Sequence, residues 1–430
     1  VSDYPDGGLR AYSVVLGSFL GLTVDFGLVN SIGTVQSYLN LHQFQSKSTS
    51  VTSLIFSIFL FVTYASIIFS GAMFDELGAR IPMIIGTVLF CVGFFAAGSC
   101  TTIGSFVVAF SLICGLGVGM LAGPLTGAVS HWFLKNRAKA FGLCTLGGSC
   151  GGILFPMVLN RLYEKMGFEN AMRIVSAISA ALLIASTALI TERKSIRALD
   201  QSTIEEVSGE RISLRLFLLK TWSLTKNSVD LSSLKDAKFL FCVLGSSFSE
   251  LALLCSLTYF ASYVTYIGYS ETKANTVVTI INTVGIAGRY IPNVFADRIG
   301  CYNVMAVMVL FTALTGLCIW LGWSIKTNTI SSVYAFAVMY GFFSSSALSL
   351  APSCVGAISP TRDFGKRYGT MSLITGVFIL VGLTIGGVII GHESLETYRN
   401  FSIYTGVISL TGFLMFYCSR YCQVGFRFLR

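Results

Sequence analysis

Apolar runs of spanning length recur along the whole chain, separated by short polar clusters and turn residues. A helix crossing roughly 30 Å of hydrocarbon needs about 20 apolar residues. Windows that meet this lie approximately at 12–36, 50–74, 81–99, 104–130, 141–163, 170–190, 238–267, 273–294, 301–323, 330–357, 367–391 and 399–419. The pattern predicts an all-α membrane protein with twelve transmembrane helices. Composition agrees: of 430 residues 54% are hydrophobic, 11% are charged and 43 are glycine, too little charge for the surface of a soluble domain of this length.

Charge adds orientation. About 21 of the 29 Lys and Arg fall on the side that carries both termini, about 7 on the other, and Arg289 lies within a span. Both termini are therefore expected in the cytosol, and the net charge of +9 follows from this bias. Nothing resembles an aromatic-basic nucleic-acid module. One long polar interval, Thr191 to Ala237, divides six spans from six, giving an N-terminal half at 1–190, a cytosolic linker at 191–237, and a C-terminal half with a short tail at 238–430. Within the linker, Ile212 to Trp222 has apolar residues at helical spacing beside Arg211, Arg215 and Lys220, which suits a short helix on the membrane surface. The chain opens on Val1 with no legible signal peptide, so a preceding tail is allowed for. The 12 cysteines fall almost entirely in apolar runs without metal-like pairs, as expected of packing residues.

The halves echo one another. Gly71-Ala-Met-Phe-Asp75-Glu-Leu-Gly78-Ala-Arg80 follows span two, and Asn293-Val-Phe-Ala-Asp297-Arg298-Ile-Gly300 follows span eight. Lys135-Asn-Arg137-Ala-Lys139 precedes span five as Lys366-Arg367 precedes span eleven, and Pro124 in span four matches Pro352 in span ten. Such offsets mark the parallel repeats of a transporter.

The loop carrying Asp75, Gly78 and Arg80 resembles the signature loop of the major facilitator superfamily. Asp6-Gly7-Gly8 with Ala11-Tyr12 is similar to the first-span signature of the monocarboxylate transporter family, which usually has Trp where Tyr12 stands. Phe241 to Gly245, Phe248-Ser-Glu250-Leu, Thr258-Tyr259 and Phe364-Gly-Lys-Arg-Tyr368 look like that family's fungal branch, which includes a riboflavin transporter. The resemblance runs from about Pro5 to the C-terminus. It implies the major facilitator fold: two pseudo-symmetric six-helix halves around a central cavity, working by alternating access.

Three charged residues lie deep in spans: Asp25, Glu250 and Arg289. An ionised side chain there costs about 2.5–3.5 kcal/mol on insertion scales, so each should face the bundle interior. The resemblance implies that Arg289 helps bind the substrate carboxylate. Two departures count against proton-linked lactate transport: Gly285 stands where such carriers have an acid, and Asn30 where they have a lysine. Asp25 is expected to pair with Arg289 in the empty state, and Asp25 or Glu250 is the candidate for taking up a coupling proton, since desolvation favours the neutral carboxyl. Tyr259 and Tyr263, at helical spacing in span seven, are candidates for stacking on a flat ligand, with Tyr266 as an interface anchor. Asn30, Gln36 and Asn282 add hydrogen-bonding groups that suit a neutral or weakly acidic heteroaromatic. Asp75, Arg80, Asp297 and Arg298, at cytosolic helix ends, are expected to gate by holding the outward-open state.

The glycine runs at 115–119 and 147–152 lie in apolar spans and serve helix packing, not nucleotide binding. His42, His131 and His392 sit at different span ends, so no catalytic arrangement, cofactor site or metal site emerges, and His131 suits a helix interface. The expected function is secondary transport of a small organic solute, riboflavin or a related heteroaromatic or a monocarboxylate. The alternatives are a proton-coupled monocarboxylate carrier and a non-transporting nutrient sensor. The plasma membrane is the default location, with the vacuolar membrane as the other.

Overall fold

The computed structural model describes residues 4–44, 49–192 and 230–425, and these are helical nearly throughout. In chain order the helices are α1 (Leu9–Tyr38), α2 (Thr49–Leu77), α3 (Arg80–Gly98) and α4 (Ile103–Trp132). Next comes the run Arg137–Leu189, which Gly167 at φ 76° breaks into two arms, α5 (137–166) and α6 (168–189). The second half holds α7 (Ala237–Tyr266), α8 (Glu271–Ile299), α9 (Cys301–Thr327), α10 (Ile330–Ile358), α11 (Phe364–Ile390) and α12 (Leu395–Val424). Most of the linker, including the candidate surface helix at 212–222, lies outside the described residues.

Hydrocarbon offers the backbone no hydrogen-bond partners, so an apolar chain of this kind satisfies itself by forming helices. Ten of the helical runs are long and apolar enough to cross a membrane, Arg137–Leu189 counting as one of them. The exception is α8, whose inner face carries Asn282, Arg289 and Asn293, all buried. A helix that keeps this much polarity inside a bundle does so to face other protein groups.

Buried hydroxyls tie the halves together internally, and the ties repeat. In the first half Ser70 Oγ donates to the Gly119 carbonyl at 2.8 Å, joining α2 to α4, and Ser176 Oγ donates to Cys91 at 3.0 Å, joining α6 to α3. In the second half Asn293 donates to Ser349 Oγ at 2.7 Å, joining α8 to α10, and Ser402 Oγ donates to Gly316 at 3.3 Å, joining α12 to α9. The helix pairs correspond across the repeat, as do the turns that end α2 and α8: Gly78 and Gly300, three residues after Asp75 and Asp297, both take positive φ, 85° and 95°.

Between the halves run two seams, α2 along α11 and α5 along α8. Their closeness depends on missing side chains. A Cβ on Gly71 of α2 would stand 2.2 Å from the Gly365 carbonyl oxygen of α11, while inside the first half a Cβ on Gly147 of α5 would stand 2.1 Å from the Phe19 carbonyl oxygen of α1. The two positions should respond differently to the same insult. Gly147→Val overpacks a fixed interface and is expected to cost about 1–3 kcal/mol, read as a lower thermal unfolding temperature in detergent. Gly71→Val can relieve its clash by parting the halves, so its unfolding temperature should fall much less. Equal losses would show that the α2–α11 seam is as fixed as the packing within a half.

Candidate functional site

At one end the seams are locked by a repeated device. Helix α11 begins without a hydrogen bond from its own capping side chain, and so does α5. Each takes its cap from the other half. Asp75, at the end of α2, accepts from the Gly365 and Lys366 amides of α11 at 3.0 and 2.8 Å. Asp297, at the end of α8, accepts from the Ala138 and Lys139 amides of α5 at 2.9 Å each. The first amides of a helix have no partner within it and carry the positive end of its dipole, so a carboxylate is their best acceptor. Glu76 adds an ion pair to Lys366 at 3.4 Å.

Arg137 makes a third tie. Its Nε donates to the Phe133 carbonyl at 3.1 Å at the end of α4, and its Nη1 to the Gly356 carbonyl at 2.7 Å near the end of α10, in the opposite half. Arg80 and Arg298, the other two residues expected to gate, are both exposed, and among the described residues neither makes a hydrogen bond or ion pair to the opposite half. Each follows its aspartate at a helix end, where the side chain is free to point to solvent. Of the four predicted gating residues, only the two aspartates lie on the seam.

The centre of the molecule is polar on two sides of α1. Asn30 donates to the Gly148 carbonyl of α5 at 3.2 Å, and the glycine face of α5 lets Arg289 and Asn282 of α8 come close. Arg289 is 2% exposed; its Nη1 donates to the Thr145 carbonyl at 2.8 Å, while its Nε has no partner. On the other side Asp25, Glu250 of α7, Tyr64 of α2 and Tyr368 of α11 surround a small cavity. Asp25 and Glu250 are 1% and 6% exposed, and each has a carboxylate oxygen without a partner. The Tyr64 hydroxyl lies beside the Glu250 carboxyl.

The expected pairing of Asp25 with Arg289 does not occur. Among the described residues no ion pair joins Arg289 to either acid. The reason is helical: the five residues from Asp25 to Asn30 turn α1 by about 140°, so Asn30 meets α5 and Asp25 looks toward α2, α7 and α11. Phe26, which abuts Gly148 and lines the acid-bearing cavity, stands between the two sides.

Comparison with known proteins fits this geometry. The model of the Major Facilitator Superfamily matches residues 14–337 and 268–423. The chain belongs to the major facilitator superfamily. It is 37% identical over 437 residues to the riboflavin transporter MCH5 of Saccharomyces cerevisiae, a match that covers 100% of this chain and 82% of the yeast protein. It is 28% identical over 419 residues to MFS-type transporter 1 of an Ophiocordyceps species, covering 97% of this chain and 87% of that protein. Among solved structures it superposes on the proton:xylose symporter XylE with a TM-score of 0.71 at 15% identity, covering 93% and 94% of the two chains. It superposes on the human organic anion transporter MFSD10 with a TM-score of 0.68 at 17% identity, covering 94% and 99%. The likeness to the two solved structures concerns the fold.

Within this major facilitator bundle the predicted aromatic face of span seven goes to packing. Tyr263 is fully buried inside the second half, its hydroxyl 3.2 Å from Ser324 Oγ, its ring against Trp320 and Tyr398. Tyr259 donates to the Leu383 carbonyl at 3.3 Å and sets its ring edge-on to Phe401. Both turn away from the seam, because α7 presents Glu250 there. Tyr266 sits half-exposed against Tyr398. His131 lies with its ring 5.0 Å from that of Phe74. No group of His, Cys, Asp or Glu among the described residues is arranged to hold a metal ion. Tyr64 at the centre and Arg137 at the closed end are functional candidates that sequence reasoning passed over; the echo of Arg137 in Arg367 was the available signal for the second.

Because Asp75 bonds helix amides and no ligand position, Asp75→Asn should lower transport turnover several-fold or more while leaving the half-saturating solute concentration nearly unchanged. Initial rates across solute concentration in proteoliposomes separate the two. A fall in affinity with turnover intact would place Asp75 in the binding site instead.

Proposed function

We propose that the chain is a secondary transporter that moves a small, flat, hydrogen-bonding organic solute of the riboflavin type by alternating access of its two halves. The observation that carries this is the Arg289 side of the centre. A buried guanidinium without a carboxylate, flanked by Asn30 and Asn282 at the seam, is a set of fixed donors and acceptors awaiting a polar solute. A planar fork of this kind matches imide, ring-acceptor or carboxylate edges. The 37% identity to a yeast protein described as a riboflavin transporter, over the whole of this chain, supports the heteroaromatic over a short carboxylic acid.

Orientation follows from the charge bias: the end closed by Asp75 and Asp297 faces the cytosol. With Arg289 2% and Asn282 5% exposed, the solute side is packed shut between the halves. A ring system enters only when the halves part on the outer side, and leaves when the aspartate caps release. The plasma membrane is the location this proposal takes, with both termini in the cytosol.

Uptake of labelled riboflavin and of labelled lactate into proteoliposomes tests the substrate class, with saturable riboflavin uptake expected and lactate uptake near background. Arg289→Lys tests the site. The cation remains, but an ammonium cannot reproduce the fork, and losing a charge-assisted hydrogen bond of about 1.5–3 kcal/mol weakens riboflavin binding roughly ten- to more than a hundredfold. Unchanged affinity in a folded Arg289→Lys protein would make Arg289 a helix-packing residue and move the site elsewhere.

A further inference from the structure

On the solute side one hydroxyl lacks the bond its position should give it. A serine or threonine in an apolar helix ordinarily returns its hydrogen to a carbonyl three or four residues earlier. Ser31 does so to Gly27 at 2.6 Å in α1, and Thr145 to Phe141 at 2.9 Å in α5. Ser149 of α5 does not: it is fully buried and its Oγ has no partner. The reason lies four residues back. The Thr145 carbonyl already takes the helical amide of Ser149 and, from across the seam, Arg289 Nη1 at 2.8 Å, which occupies both of its lone pairs. Arg289 thereby displaces the Ser149 hydroxyl from its own helix.

The freed hydroxyl is turned toward α8. A Cβ on Gly285 would stand 3.6 Å from Ser149 Oγ and 2.5 Å from Ser345 Oγ of α10. Two hydroxyls thus approach one point from opposite halves, and the missing side chain leaves that point free. The neighbouring amides are committed: Asn30 donates to Gly148 and Asn282 to Val278, each at 3.2 Å. Beside Gly285 and Arg289, one turn apart on α8, the buried groups left without a bond include Arg289 Nε and Ser149 Oγ. A guanidinium supplies donors only, whereas a hydroxyl oxygen also accepts.

We infer that Ser149 is a specificity-determining residue that accepts a hydrogen from a ring N–H of the solute while Arg289 donates to the adjoining carbonyl. This role rests on the solute being of the riboflavin type proposed above. The edge that fits is an imide, an N–H set beside a C=O, which the flavin ring system carries. Arg289 serves the carbonyl, and Ser149 adds the acceptor that Arg289 lacks. Placement gives the contact a second use. Ser149 belongs to the first half, and Gly285, Arg289 and Ser345 to the second, so an edge held among them bonds both halves at once. Its binding favours the closed arrangement over the parted one.

The test is equilibrium binding of riboflavin, and of riboflavin methylated at its imide nitrogen, to the purified parent and to Ser149→Ala in lipid nanodiscs, read by flavin fluorescence. The parent should bind the methylated flavin at least tenfold more weakly, since a buried acceptor then goes unpaired. Ser149→Ala should bind riboflavin about two- to tenfold more weakly than the parent does. Its preference between the two flavins should shrink to within about threefold, because the acceptor is gone and the methyl group gains its space. A Ser149 that only packs against α8 would change the unfolding temperature of the variant and leave the preference as in the parent. That result would overturn the inference, as would a parent that binds the two flavins alike, a comparison that needs no variant. In both of those outcomes riboflavin still binds and the solute assignment stands; a parent that binds neither flavin overturns the assignment and the role of Ser149 with it.

Discussion

A carboxylate at the end of a helix in one half accepting the first amides of a helix in the other half is the contact on which the rest of the structure depends. Neither α5 nor α11 is capped by its own side chain. Each begins with amides that demand acceptors, and Asp297 and Asp75 supply them across the seam. A cap of this kind is worth about 0.5–2 kcal/mol. Two of them, with the Arg137 bond to Gly356, hold one end of the bundle shut by an amount that solute binding can offset. A hydrophobic seam of the same area would not release so readily.

With that end closed, the centre has to keep its charges apart. Had Asp25 met Arg289, the pair would have neutralised both groups and left little for a solute to do. The turn of α1 instead sends Asn30 to α5 and Asp25 to the opposite side. A base without an acid and two acids without a base are each costly in an apolar interior, and each becomes favourable only when something else arrives.

Much of this was legible along the chain. Apolar windows located the spans, and the repeated Asp-x-x-Gly at Asp75 and Asp297 located both caps, because the same local chemistry recurs at the same place in each half. What the chain did not disclose was direction. A period of about 3.6 residues says which side chains share a face but not which face meets the seam, and in a membrane both lipid and bundle interior accept apolar groups. Tyr259 and Tyr263 therefore passed for ligand-facing residues although they pack against Phe401 and Trp320. Arg80 and Arg298 passed for gating residues although both lie exposed at helix ends. Tyr64 carried no signal, since one tyrosine in an apolar run looks like any other until Glu250 stands beside it.

The most direct measurement is the distance across the closed end. Spin labels at Leu134 of the first half and Ile299 of the second, which are 40% and 43% exposed, report it by pulsed electron resonance in a cysteine-depleted protein. The account predicts that Asp75→Ala with Asp297→Ala moves the distribution to longer distances in lipid, with no solute added, while the fold is kept. An unchanged distribution would contradict it, since the halves would then be held together at that end by something other than the two carboxylates.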